Sequence, residues 1–338
     1  MKQQKIELLS IVIPAYNEET VLERFHEEVT GILRSLSIRY ELIFVNDGSS
    51  DGTLEKLKQL KAADASVSFI DLSRNFGKES AMKAGLDHVA GDAAIVMDSD
   101  LEHPPSLIPD MVAAYREGYD VIHARSSVRV GQSRARHLLS GSFYSMMNRL
   151  AGDEVQFADG DKDFVLLSRK ALDSVLQLSE YNRFSKGLFK WIGYPSKTVY
   201  FEQGTREEGA SKWKLTSLIT YSIDAITSFS LVPLRFSSYL GLLVSFFAFI
   251  YMLVIIGQTV FLGNQVAGFP TLVTLVLFMS GVILISLGII GEYVARIFLE
   301  VKGRPIYFVN EYVPSEHEAQ QNAEGDDRDE RAHDETDQ

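Results

Sequence analysis

The chain has 338 residues, a formal net charge of −12, 46% hydrophobic and 23% charged residues, and no cysteine. It is long enough to bury a substantial core, and without thiols it forms neither disulfides nor thiolate metal sites. From Pro314 to Gln338 there are ten acids against two arginines, about −8 of the total, so the body is only mildly acidic. That balance speaks against nucleic acid as a partner and leaves room for local anion sites. So high an apolar content beside so many charges points to a soluble part fused to a membrane part.

The N-terminal stretch MKQQKIELLSIVIPAYNEE carries an apolar run too short for a secretory signal and reads as a first buried strand, so the catalytic part is expected in the cytosol. From there short β-branched runs at 8–14, 41–47, 66–72, 93–98 and 120–124 alternate with amphipathic stretches at 19–36, 52–62, 78–90 and 105–117. This alternation predicts an α/β fold with a mostly parallel sheet and helices on both faces. Residues 132–150 predict a helix that is basic early and apolar later. DFVLLS (163–168) predicts a strand, RKALDSVLQL the helix after it, and TVYFEQ (198–203) an edge strand. The polar segment GTREEGASKWK comes next, and then an amphipathic run. Residues 213–230 are expected at the membrane interface, with Trp213 and Tyr221 as anchors.

Two apolar segments follow, about 236–262 and 269–298, each with more than 18 consecutive uncharged residues. That suffices to cross a hydrocarbon core of ~30 Å. Arg235 flanks one side and Arg296, Lys302 and Arg304 the other, which puts both termini in the cytosol and the hairpin turn outside. Glu292 is expected to pair with Arg296 one helical turn on. The expected organisation is a catalytic domain over 1–210, a juxtamembrane segment over 211–232, a transmembrane hairpin over 233–300, a cytosolic segment over 301–313 and a disordered acidic tail over 314–338.

In open α/β sheets ligands bind beyond the carboxyl ends of the strands. Three polar clusters stand there: PAYNEE after the first strand, NDGSSDGT after the second and DSDLEHPP after the fourth. Any one alone could be a turn and a helix cap; three at one sheet edge point to a ligand. Asp47 could accept from a nucleobase, whereas Asp51 suits a cap on the next helix. Asn17 and Glu18 lie where a ribose could bind; Pro14 and Tyr16 of the same cluster, and Ser99, are further candidates for binding a nucleotide sugar. Asp98 and Asp100, separated only by Ser99, offer hard acceptor oxygens that suit Mg²⁺ or Mn²⁺. Such an ion bridges carboxylate to diphosphate.

SIVIPAYNEE, VNDGSSDGT and MDSDLEHPP resemble the signature of the inverting, GT-A-fold family 2 glycosyltransferases. RSSVRVGQSRARHLLSGSFY, DKDFVLLSRKALD, GTREEGASKWK and IIGEYVARIFLEVKGRPIY are similar to the polyprenyl-phosphate glycosyltransferases with two C-terminal transmembrane helices, among them bactoprenol glucosyltransferases and dolichyl-phosphate mannose synthases. The resemblance implies that Asp47 contacts the nucleobase and that Asp98 and Asp100 form the metal-binding pair, with Asp100 the direct ligand. Glu102 departs from the glutamine usual there, and an extra acid could add a metal contact. Asp163 matches the aspartate near the acceptor, and Arg206, Ser211 and Lys212 match the loop that closes on the diphosphate. Arg125, Arg136 and Ser140 match an acceptor-phosphate clamp; Arg136 and Ser140, four apart, would share a helix face.

The expected reaction is inverting transfer of a sugar, glucose from UDP-glucose, to undecaprenyl phosphate at the cytosolic leaflet. A lipid monophosphate has a second pKa of ~6 and is already a nucleophile near neutral pH, so no obligate base is needed, and orienting the acceptor, holding the arginines and taking a proton all stand open for Asp163. Positioning and electrostatics would carry the step through an oxocarbenium-like state. The resemblance further implies a multi-pass inner-membrane protein, a homotetramer, and a flippase and a downstream glycosyltransferase as partners. UDP-GlcNAc, GDP-mannose and a modified pentose stand as alternative donors. A processive polysaccharide synthase is disfavoured because KGLFKWIGY lacks the Gln and Arg of the QxxRW segment, and a non-catalytic adaptor because the acidic and basic sets are complete.

Overall fold

A computed structural model of the chain describes residues 4–128, 148, 161–202, 227, 230–262 and 268–319. These form two compact units: one holds 4–128, 148, 161–202 and 305–319, the other 227, 230–262 and 268–304. The helix expected over 132–150, the segments 204–214 and 213–230 and the tail from 320 onward lie outside the described residues, apart from single positions.

In the first unit the elements run β1 (Leu8–Ala15), α1 (Leu22–Ser35), β2 (Arg39–Asn46), α2 (Thr53–Ala63), β3 (Val67–Leu72), α3 (Lys78–Asp87), β4 (Ala93–Val96), a 3-10 turn (Pro105–Leu107), α4 (Ile108–Arg116) and β5 (Val121–Val128). They continue with β6 (Asp161–Ser168), α5 (Arg169–Leu176), α6 (Ser185–Trp191), β7 (Ser196–Glu202) and, far along the chain, β8 (Val309–Val313). The eight strands form one sheet in the order β7-β5-β6-β4-β1-β2-β3-β8. Only β6 and β8 run against the rest, so the sheet is mostly parallel, with β7 at one edge as expected.

The strands are apolar on both faces because both faces are covered. On β1 and β2, Leu9, Ile11, Ile13, Leu42 and Phe44 pack with Phe25, Val29, Leu57 and Met111 of α1, α2 and α4. Val12, Ile43 and Val45 alternate with them and pack on the other side with Ala81, Met82, Leu172 and Phe189 of α3, α5 and α6. The alternation is the period of two expected of strands. Gly85 lets α3 lie close on the sheet: a Cβ there would run into Val12 and come within 3.1 Å of Val45 Cγ2.

The sequence gives little warning of β8. The stretch expected only as a cytosolic segment after the hairpin instead supplies an edge strand, pairing antiparallel with β3 through Phe69↔Val313 and Ile70↔Tyr312. Asn310 donates to Asp71 at 2.8 Å, and beyond the strand Ser315 donates to the buried Glu41 at 2.9 Å.

The second unit holds two long helices, α7 (Val232–Leu262) and α8 (Phe269–Val301). Within them stretches of 24 and 28 residues are long and apolar enough to cross a membrane, and the most apolar window of each is not buried against protein. At 1.5 Å per residue the shorter spans about 36 Å. Arg296 lies 3.3 Å from Glu292, the pair foreseen in the sequence, and Tyr293 donates to the Ser230 carbonyl.

Candidate active site

Strands β4, β1, β2 and β3 are parallel neighbours, so the loops leaving their carboxyl ends meet at one sheet edge. They enclose a cleft of about 290 Å³ whose described walls include Pro14, Tyr16, Glu18, Asp47, Asp98, Ser99 and Asp100 from the sequence-nominated set. Asn75, Gly77 and Lys78 join them from the β3–α3 loop, which the sequence reading passed over.

The loops after β1 and β2 brace one another. Asn17, with φ of 56°, presents its amide oxygen to the Ser50 N–H at 2.9 Å, and Gly52 N–H donates to Glu19 at 3.0 Å. Asn17 therefore faces the neighbouring loop and is not among the described cleft walls. Asp51, expected to cap α2, stands one position before its N-cap, Gly52, and accepts from the N–H and hydroxyl of Thr53 at the start of the helix. Asp47 is buried and accepts from the N–H groups of Phe76 and Gly77 at 2.7 and 2.9 Å. Burial raises its pKa against those two bonds. Its carboxylate thus fixes the β3–α3 loop at the wall of the cleft.

The two aspartates after β4 have distinct settings. Leu101, at φ of 56°, turns the chain so that Asp100 accepts from the Glu102 N–H at 3.0 Å. Burial raises the Asp100 pKa, and the charges of Asp98 and Glu102 push the same way. Asp98 instead holds an ammonium: Lys78 Nζ lies 2.6 and 2.8 Å from its two oxygens. The same Nζ lies 2.7 Å from Asp163.

Sheet register explains why these carboxylates meet. Strand β6 is antiparallel to β4 with Val96 opposite Val165, and continuing that ladder by two residues sets Asp98 opposite Asp163. Like charges directly opposite repel; Lys78 sits between them. Lys186, at the start of α6, adds a second cation 3.5 Å from Asp163. Burial would raise the Asp163 pKa, but Lys186 and Lys78 outweigh it and hold the carboxyl at about 2. Burial would likewise lower the Lys78 pKa, and Asp163 and Asp98 drive it above the ordinary lysine value.

Behind this pair Glu79 accepts from the Ser185 N–H at 3.0 Å and from its hydroxyl, tying the start of α3 to the start of α6. Burial raises Glu79 to about 7. His103 is buried beside Phe164 and Phe201, 4.0 Å from Asp98, and burial lowers its pKa. Arg125 lies on β5 with its guanidinium 5.9 Å from the Tyr200 ring. Arg136, Ser140, Arg206, Ser211 and Lys212 lie outside the described residues.

Among the described residues no three His, Asp or Glu side chains gather where they could share one cation. Asp98 and Asp100 still fit a hard divalent ion that takes its remaining ligands from diphosphate and water.

A mostly parallel sheet with its cleft at the β1, β2 and β4 loop ends is the GT-A, Rossmann-like class of fold. Residues 10–176 match the family described as Glycosyl transferase family 2. CsbB of Bacillus subtilis (strain 168) is 45% identical over 304 residues, covering 90% of this chain and 92% of that one. The SfII prophage-derived bactoprenol glucosyl transferase of Shigella flexneri is 37% identical over 304 residues, covering 89% of this chain and 97% of that one. Among solved structures, glucosyl-3-phosphoglycerate synthase from Mycobacterium tuberculosis, with Mn²⁺, UDP-glucose and phosphoglyceric acid, superposes with a TM-score of 0.44 at 20% identity over 65% of this chain and 78% of that one. So remote a superposition adds nothing to the topology. The chain belongs to glycosyltransferase family 2 and is a glycosyltransferase.

Proposed function

We propose that this glycosyltransferase moves glucose from UDP-glucose to undecaprenyl phosphate at the cytosolic leaflet of the inner membrane, with inversion, giving a lipid-phosphate sugar for cell-envelope glycans. The observation that carries the reading is the 37% identity running through 97% of a bactoprenol glucosyl transferase. Two helices of membrane-spanning length in the same chain support a lipid acceptor. Because the chain returns at residue 305 to the unit it left before 230, an even number of crossings is required, which supports cytosolic termini on both sides of the hairpin.

On this reading Pro14, Tyr16, Glu18, Asp47 and Ser99, with Ser211 and Lys212, bind the nucleotide sugar, and Asn17 braces the loop beside them. Asp98 and Asp100 hold Mg²⁺ or Mn²⁺, with Glu102 on the same turn. The ion supplies positive charge to the departing diphosphate. Arg206 adds to that charge, and Arg125, Arg136 and Ser140 hold the acceptor phosphate. Asp163, held at about 2 by its two lysines, is a weak base at neutral pH and acts through its pairing with Lys78 and Lys186. The acceptor phosphate, largely dianionic above its second pKa of ~6, attacks the anomeric carbon in line with the leaving UDP. The product would pass to a flippase and a downstream glycosyltransferase, with the chain working as a homo-oligomer.

A donor screen tests this. Membranes containing the chain are given undecaprenyl phosphate and UDP-glucose, UDP-GlcNAc or GDP-mannose, and the lipid product is weighed by mass spectrometry. A hexosyl product from UDP-glucose is expected. Product from GDP-mannose alone would overturn the donor assignment, and release of a multi-sugar polymer would favour a processive synthase.

A further inference from the structure

We propose that Lys78 is a built-in counter-cation for the Asp98–Asp163 pair, yielding Asp98 to a divalent ion only when a nucleoside diphosphate offers the ammonium phosphate oxygens in exchange. The inference rests on the metal site of the proposed function and deepens it: metal binding and donor binding become one coupled event.

Four observations lead there. The ammonium touches both oxygens of Asp98, at 2.6 and 2.8 Å, so an ion that binds between those oxygens from the same side must displace it. It also lies 2.7 Å from Asp163, which stays paired with Lys186 when Lys78 leaves. Lys78 lines the same cleft as Asp98 and Asp100, and its side chain is 41% exposed, with room to move. Its backbone, in contrast, is fixed. Gly77 adopts φ of 96° and donates its N–H to Asp47, and Glu79 is bound to Ser185.

A lysine suits this exchange because its charge is compact, carries three donors and swings on a four-carbon stem. Two cations cannot share Asp98 without strong repulsion at close range. Metal alone must therefore evict Lys78 with nothing to receive the ammonium. Metal with diphosphate supplies the receiving oxygens, and the diphosphate completes the shell that Asp98 and Asp100 begin. Donor-free enzyme is thereby protected from holding a metal ion to no purpose.

The test is a Mn²⁺ titration of the detergent-purified full chain followed by electron paramagnetic resonance, with and without UDP, which reads metal occupancy and no turnover. Wild type should bind Mn²⁺ weakly alone and tightly with UDP. K78M should bind Mn²⁺ without UDP at least about tenfold tighter than wild type, because the competing charge is gone, and should gain less from UDP. K78R, which keeps the charge, should stay close to wild type. K78Q serves in place of K78M if that variant does not fold, as judged by thermal unfolding. Equal or weaker UDP-free Mn²⁺ affinity in the neutral variant would overturn the proposal. D98N separates the two readings: loss of Mn²⁺ binding in the presence of UDP upholds the metal site, and unchanged binding overturns that site and the counter-cation role with it.

Discussion

Asp100 and Asp163 differ in what surrounds them, and the difference makes separate predictions for the two. Asp100 has no cation among its described hydrogen-bond partners, and its pKa is pushed up. Asp100→Ala should lower nucleotide release by about 10²–10³-fold, the usual cost of losing one electrostatic stabiliser of a leaving group, with unfolding temperature little changed. Undiminished release would return the chain to the adaptor reading. Asp163 sits at about 2 against an ordinary value of 3.8. Its ionisation therefore contributes stability that is present above pH about 4 and lost as pH falls through about 2. If it only positions the lysines, Asp163→Asn will slow transfer and leave the acid limb of the pH–rate profile near the ~6 of the acceptor phosphate. A limb that shifts or vanishes in Asp163→Asn would mean that Asp163 takes a proton after all. Glu79 has the opposite sign: raised from 4.5 to about 7, it stabilises the fold below about 4.5, and that contribution fades as pH rises through 7. Glu79→Gln should flatten the fall in unfolding temperature across that interval.

Helix α3 carries Lys78 at its first position and rests on β1 and β2 through Gly85. The close approach is bought with the absence of a side chain. Gly85→Ala would meet Val12 and press the helix outward, at about 1–3 kcal/mol for overpacking. Because Lys78 rides on the same helix, the variant should also loosen UDP-dependent Mn²⁺ binding, which separates it from a core change elsewhere. The short apolar runs made β1 to β4 legible in the sequence, for two covered faces demand mostly apolar residues. The contribution of α3's first turn was not legible. NFGKES has no charge pattern that marks it, and only the rule that every parallel strand ends at the same edge could have nominated it.

At the scale of the molecule the chain closes on itself: residues 305–319 return to the unit that opens the sequence. A chain truncated after residue 304 loses β8, uncovers the β3 edge and leaves Glu41 without the Ser315 bond. Bare sheet edges invite pairing with other chains, so this truncation should aggregate or lose several degrees of unfolding temperature in detergent. Truncation after residue 319 should leave the unfolding temperature unchanged. Equal behaviour of the two would show β8 to be dispensable.

Local chemistry determined most of this protein by sequence alone. Strand runs, uncharged spans and the polar clusters after β1, β2 and β4 are set by short-range periodicity and composition, and they announced the sheet, the helix pair and the aspartates of the cleft. Tertiary structure alone decided what neutralises those aspartates. Asp98 and Asp163 are 65 positions apart in the chain, and only the antiparallel register of β4 and β6 makes them face one another. That juxtaposition of like charge requires a cation, and the fold supplies Lys78 from a third loop. The return of β8 has the same origin: an edge strand is defined by the neighbour it pairs with, which no local pattern encodes.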